Sequence, residues 1–201
     1  PLVRKLSNVK LACSAEAAVW LYGEKYFKNN DTVQIIKNGI DTDVFAYNEN
    51  VRSEVRKEYG WDNKLVFGHV GNFIPAKNHY FMVDIISEVI KTEENALLLF
   101  LGRGDAMESV REYAIKKGVA EHIVFMGSRS DTARFYQAMD LFLFPSLYEG
   151  LPIAGIEAQD GGSLRDHFHG LHIDGAADIG MDLLHTGSHL DAHSVCLLWE
   201  N

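Results

Sequence analysis

The amino-acid sequence predicts an α/β fold, a parallel sheet with helices on both faces. Four short apolar runs carry this reading: LVFGHV (65–70), ALLLFL (96–101), HIVFMG (122–127) and LFLFPS (141–146). They lack polar alternation and end in turn residues, as strands buried on both faces do. Helical periodicity fills the intervals between them, and that alternation is the signature of strand–helix–strand crossovers.

Taken in order, SAEAAVWLYGEKYF (14–27) predicts a helix with Ser14 as its N-cap. VQIIKNG (33–39) is a fifth candidate strand, and ENVRSEVRKEYGW (49–61) an amphipathic, charged helix. From Asn78 to Lys91, Phe81, Ile85 and Val89 recur at four-residue spacing beside Met82, Ile86 and Ile90. Asp105 to Lys117 and Asp131 to Met139 follow the same logic, and no internal repeat is visible. Ligands of open parallel sheets sit beyond the carboxyl ends of the strands. The loops of interest are therefore 71–77, 102–105, 127–131 and 145–151.

The 201 residues suffice for a substantial core, and 47% hydrophobic with 23% charged residues is an ordinary globular composition. A net charge of −9 excludes a protein that tracks a phosphate backbone over a basic face, so no nucleic-acid partner is expected. No apolar run approaches the roughly 18 residues of a membrane span, and no transmembrane segment is expected. Two cysteines, Cys13 and Cys196, are too few for a disulfide framework and point to a cytoplasmic location. The chain begins at Pro1 rather than Met, without a signal-peptide pattern, and is expected to be an excerpt of something longer.

Chemistry concentrates in FPSLYEGLPIAGIEAQDGG (144–162). Pro152 suits a first helical position, placing Gly150 and Leu151 at a helix N-terminus whose backbone N–H groups attract an anion. Glu149 precedes that helix, and Glu157 lies roughly 8 Å along it. Carboxylates on either side of an anion site suit a ligand with hydroxyls flanking a diphosphate, which is a nucleotide sugar. Taken alone, both glutamates read first as solvated helix-surface residues.

Two further loops support the ligand reading. VGNFIPAKN (70–78) leaves its strand through Gly71 and Asn72 and reaches Lys77, a point charge for a diphosphate. FMGSRSD (125–131) places Gly127, Ser128 and Arg129 after another strand, where backbone groups would read a base edge and the guanidinium would stack on its ring. The plainer reading of that segment is a turn with Asp131 capping the next helix. Gly102-Arg103-Gly104 follows a strand, but Met107 occupies the third glycine position of a dinucleotide fingerprint. Arg103-Gly104-Asp105 reads as a turn rather than a cell-adhesion tripeptide. No carboxylate cluster at a strand end offers a magnesium site.

From about Val9 to Gln159 these motifs resemble the retaining, nucleotide-sugar-dependent group 1 glycosyltransferases with two Rossmann-like domains, specifically their donor-binding C-terminal half. NGIDTDVF (38–45) resembles the entry to that half, VGNFIPAKNH (70–79) its phosphate loop and EGLPIAGIE (149–157) its two-glutamate signature. Enzymes of capsule and exopolysaccharide synthesis are the nearest in style. The resemblance implies Glu149 on donor-sugar hydroxyls, Glu157 on the ribose, and Gly150 and Leu151 N–H groups with Lys77 on the diphosphate, with Gly127 to Arg129 bordering the base. Glu149 and Lys77 would be the catalytic pair. It implies front-side transfer with retention, a UDP-sugar as the foremost donor, no bound metal, and a saccharide or lipid-linked acceptor. Sugar-nucleotide epimerases share this architecture, and a non-catalytic nucleotide-binding module is the reading from a different class.

Three departures stand out. The family carries an arginine beside the phosphate-loop glycine where this chain has Asn72; Arg103 is a candidate substitute. The acceptor-binding N-terminal domain is absent, so the isolated chain is expected to be inactive. Finally, residues 160–201 hold one basic residue, seven acidic ones and six of the nine histidines. The chain is thus expected to divide into a donor-binding domain, 1–159, and an atypical, loosely packed or poorly ordered tail, 160–201. A shifted reading frame is one source: codons for Gly161 to Phe168 read one nucleotide later can spell Ala-Gly-Leu-Cys-Val-Ile-Ile-Ser, a family-like run. His185, His189 and His193 recur every four residues, the spacing of a metal-binding helix face, but Gly187 and Ser188 weaken a helix there and no acidic or cysteine ligand is obvious, so no metal is expected. Losing the strand after Glu157 is expected to leave a sheet edge open to self-association.

Overall fold

The computed structural model describes residues 8–28, 33–148 and 153–161, with the backbone of 182–183 and 196–198. The chain forms two compact units, Pro1–Ile40 with Tyr148–Ile153, and Asp41–Leu147 with Ala154–Asn201.

In the smaller unit, β1 (Lys10–Ala12) and β2 (Val33–Ile35) pair in parallel. The predicted fifth strand therefore exists but joins a separate two-stranded sheet. The helix expected over 14–27 is two, α1 (Ala15–Tyr22) and α2 (Glu24–Lys28). Gly23 separates them at φ 87°, a backbone value that a helix interior cannot hold. Ser14 caps α1 as expected, its hydroxyl accepting the Ala17 N–H at 3.1 Å.

The larger unit contains α3 (Thr42–Phe45), α4 (Glu49–Tyr59), β3 (Leu65–Val70), α5 (His79–Val89), β4 (Ala96–Leu101), α6 (Met107–Lys117), β5 (Ile123–Gly127), α7 (Thr132–Ala138), β6 (Leu141–Leu143), α8 (Ile153–Asp160, from Ala154 on), β7 (Asp182–Leu183) and β8 (Cys196–Leu198). Its sheet order is β5-β4-β3-β6-β8-β7, parallel except for β7, which runs antiparallel to β8. The apolar runs divide their side chains between two cores because successive strand residues face opposite ways. Phe67, Leu98, Phe100, Leu141 and Leu143 pack with α5 and α6 residues such as Ile86 and Val110. Val66, Leu97, Leu99, Leu101 and Phe142 pack with Val55 of α4, Phe135 and Tyr136 of α7, and Ala158 of α8. Helices thus cover both faces of a parallel sheet, as the patterning predicted.

The chain steps outward from β3 to β4 to β5, then returns to lay β6 on the other side of β3. That reversal is the topological switch point, where adjacent loops diverge and leave a crevice. The expected open edge beside β6 is occupied: β8 pairs with it through Phe142↔Cys196 and Leu143↔Leu197. Cys196–Leu198, within the longest apolar run of the tail, supply that strand. The argument for self-association at that edge falls with it. The other readings of the tail, including the three histidines, lie outside the described residues.

Candidate functional site

The loops after β3 and β6 meet at the switch point. Leu147 donates its backbone N–H to the Ala76 carbonyl at 2.8 Å. The Lys77 ammonium stands 5.4 Å from the centre of the Phe144 ring. The lysine and the residues entering the two-glutamate segment are therefore brought together, although they lie about 70 positions apart in the chain.

The loop after β3 is also tied to its other neighbour. Gly71 N–H donates to Leu101 O and Phe73 N–H to Arg103 O, both at 2.9 Å, while Gly102 N–H donates to Gly127 O at 2.9 Å. Residues 71–74, 101–104 and 127 thus form one hydrogen-bonded rim at the carboxyl ends of β3, β4 and β5. The two glycines discounted as a fingerprint make this possible. Gly102 and Gly104 sit at φ 153° and 154°, and added Cβ atoms would fall 1.9 Å from Gly71 O and 2.6 Å from Phe73 O. The same stitching brings exposed Arg103 beside exposed Asn72.

Beneath the loop, two histidines that sequence reasoning passed over are buried: His69 on β3 and His79 at the start of α5. His69 Nδ1 lies 2.9 Å from the Leu143 carbonyl, which acts as acceptor and so assigns the proton to Nδ1. The rings meet edge to face at 5.1 Å, and His79 stacks on Phe73 at 4.1 Å. Burial pulls His69 down to about 4 and His79 to about 3, with the nearby Lys77 charge acting in the same direction on both. Neutral rings in an apolar floor avoid placing further charges beside the lysine.

Arg129 has local partners. Its Nε and Nη2 donate to the two Asp131 oxygens, each at 2.7 Å, and its guanidinium lies 4.8 Å from the Phe135 ring centre. Asp131 occupies the N-cap position of α7 without a side-chain capping bond, because its carboxylate is turned to the arginine. The capping expectation is corrected accordingly. Hydrogen bonding to Arg129 also holds the Asp131 carboxyl below its usual range.

Glu157 lies on α8, half-buried, where its Oε2 accepts from the Tyr136 hydroxyl at 2.8 Å. Glu149, Gly150, Leu151 and Pro152 lie outside the described residues. Among the described residues no group of three or more histidine, cysteine, aspartate and glutamate side chains could hold a metal ion. No described helix is long and apolar enough to cross a membrane.

A second feature missed in the sequence is the clamp that fixes α7 to α4. Asp140 accepts from both Arg52 and Arg56, the latter at 3.0 Å, and its Oδ2 accepts the Val66 N–H at 2.7 Å. Arg52 also donates to the Gln137 and Met139 carbonyls, and Arg56 to that of Ala138. The i, i+4 spacing of the arginines on one helix face was visible; their partner more than 80 residues away was not.

A doubly wound parallel sheet whose loops after β3, β4 and β5 are joined at the switch point defines a Rossmann-like domain. Residues 64–163 match the family Glycosyl transferases group 1. It is 30% identical over 152 residues to the EpsF protein of Bacillus subtilis, which carries the name of a glycosyltransferase, covering 75% of this chain and 39% of that protein. It is 29% identical over 134 residues to the Escherichia coli UDP-Gal:alpha-D-GlcNAc-diphosphoundecaprenol alpha-1,3-galactosyltransferase, covering 65% and 35%. Among solved structures, Anabaena Alr3699/HepE in complex with UDP and glucose has a TM-score of 0.69 at 19% identity, covering 80% of this chain and 44% of that one. The chain thus spans well under half the length of these proteins.

Proposed function

We propose that the chain is the donor-binding half of a retaining glycosyltransferase that moves a sugar from a nucleoside diphosphate to a saccharide or lipid-linked acceptor. The observation that carries this is the joining of the loops after β3 and β6 at the switch point, through Leu147, Ala76 and the Lys77–Phe144 contact. Lys77 and the backbone of 71–72 would hold the diphosphate, together with the N–H groups of Gly150 and Leu151. Glu157 would accept from the ribose hydroxyls and Glu149 from the donor sugar, while Gly127, Ser128 and Arg129 border the base. Stabilising the charge that builds on the departing diphosphate lowers the barrier, and holding the reactants in line supplies the rest. Arg103, beside Asn72, would supply a second cation. The acceptor comes with a further domain, so this chain alone binds donor without transferring it. The division into 1–159 and 160–201, a cytoplasmic location and a role in capsule or exopolysaccharide synthesis belong to the same reading.

Calorimetric titration of the chain with UDP, beside a Glu157→Ala variant, tests it. Binding by the parent that weakens in the variant supports the donor site. Binding of GDP or ADP instead would reassign the base. Failure of all three to bind would overturn the reading.

A further inference from the structure

Tyr136 is entirely buried on α7, yet its hydroxyl reaches a half-buried carboxylate on another helix, Glu157 of α8, at 2.8 Å. Its ring is wedged between Phe45, at 5.9 Å and edge-on, and Phe142 at 5.7 Å. Next to it, Gln137 fixes the backbone: its Oε1 accepts from Asn48 N–H at 2.7 Å, and its Nε2 donates to Phe45 O and Ala46 O at 3.1 Å each. The Arg52–Asp140–Arg56 clamp holds the C-terminal end of the same helix. At the far end of α8, Gly161 leaves no room for a side chain, since a Cβ there would come 2.9 Å from Tyr136 Cβ.

We propose that Tyr136 is a positioning residue that pre-sets the Glu157 carboxylate for the ribose hydroxyls of a nucleoside diphosphate. This rests on the donor-site reading of Glu157. A glutamate side chain has three rotatable bonds, and a ligand that must order it forfeits affinity to conformational entropy. One hydrogen bond from an immobile phenol removes much of that freedom in advance. The donation occupies Oε2 and leaves Oε1 to accept from a ribose hydroxyl. Burial and the adjacent carboxylate push the phenol pKa far up, so Tyr136 is a hydrogen-bond donor at every working pH. No proton moves; the tyrosine acts only through the orientation of Glu157.

The test compares UDP with 2′,3′-dideoxy-UDP on the parent chain, Tyr136→Phe and Glu157→Gln, with circular-dichroism melting as a check on folding. Phenylalanine retains the ring packing and removes only the O–H. Expected for Tyr136→Phe is UDP binding about 10-fold weaker, the scale of one hydrogen bond to a charged group, with dideoxy-UDP binding as it does to the parent. A purely structural role would weaken both nucleotides equally, and that result overturns the proposal. So does unchanged UDP binding by Tyr136→Phe when Glu157→Gln is impaired. Unimpaired UDP binding by Glu157→Gln would instead remove the underlying assignment of Glu157, and failure of UDP, GDP and ADP to bind the parent chain would remove both.

Discussion

A Cβ built on Gly102 would stand 1.9 Å from the carbonyl oxygen of Gly71. The backbone between β4 and α6 therefore passes so close to the loop after β3 that no other residue fits there without moving it. Gly102→Ala is expected to destabilise the larger unit by about 1–3 kcal/mol, the usual cost of forcing atoms into a packed site. UDP binding should weaken as well, because the displaced loop carries Lys77. Gly39→Ala is the control: nothing lies within 4 Å of its Cβ position. Urea unfolding and calorimetry on both variants decide it, and equal stability of the two would refute the close approach.

Asp140 carries two guanidiniums and one backbone N–H while only 15% of its side chain is exposed. Asp140→Ala is expected to cost about 3–5 kcal/mol, since it leaves two poorly hydrated arginines without their counter-charge. Arg52→Met with Arg56→Met in the same background should recover part of that loss, because the uncompensated charges are then gone. Urea midpoints of the single and triple variants measure it.

The buried histidines predict an acid-sensitive stability. His69 is held neutral, with a pKa of about 4 against 6.5 in the unfolded chain, and His79 is pulled to about 3. Between these values the unfolded state binds more protons. Stability is therefore full above pH 6.5 and falls as the pH drops towards 4, by at most about 1.4 kcal/mol per pH unit for each histidine. His69→Asn retains a donor for the Leu143 carbonyl without a titrating ring. It should flatten the slope between pH 6.5 and 5 by about one histidine's share, and unfolding curves at several pH values read this directly. An unchanged slope would mean that His69 titrates normally.

Lys77 should act on the phosphates alone. Lys77→Ala is expected to weaken UDP about 10–100-fold, the range for losing a charged hydrogen-bond partner, and to reduce the salt dependence of binding. Uridine, which lacks the diphosphate, should bind both proteins alike. Arg103→Ala offers a parallel comparison: a similar loss selective for UDP would assign it the cationic role that Asn72 cannot fill. Loss of uridine binding in Lys77→Ala would place the lysine elsewhere.

Much of the architecture was legible because it follows from alternation. A run such as ALLLFL has apolar residues on both sides of the pleat and the length of an interior strand, and the four-residue spacing in 78–91 is that of a helix with one buried face. VQIIKNG was legible as a strand but not as a member of a different sheet, because a strand's own residues do not name its neighbour. The helix break at Gly23 was a backbone event that the apolar pattern of 14–27 concealed. Of the proposed site, Lys77 and Glu157 were nominated by their motifs. Tyr136, His69 and the glycine pair 102 and 104 were not, since each takes its role from an atom distant in the chain.

By itself, then, the sequence determined the four central strands, the helices between them and their order, because side-chain polarity and backbone preference act over a few residues. Tertiary structure alone decided that β6 returns beside β3, that the backbone of 102–104 closes against 71–73, and that a buried tyrosine meets Glu157. Such pairings depend on chain closure over tens of residues and on the packing of both faces of the sheet, which local periodicity does not encode.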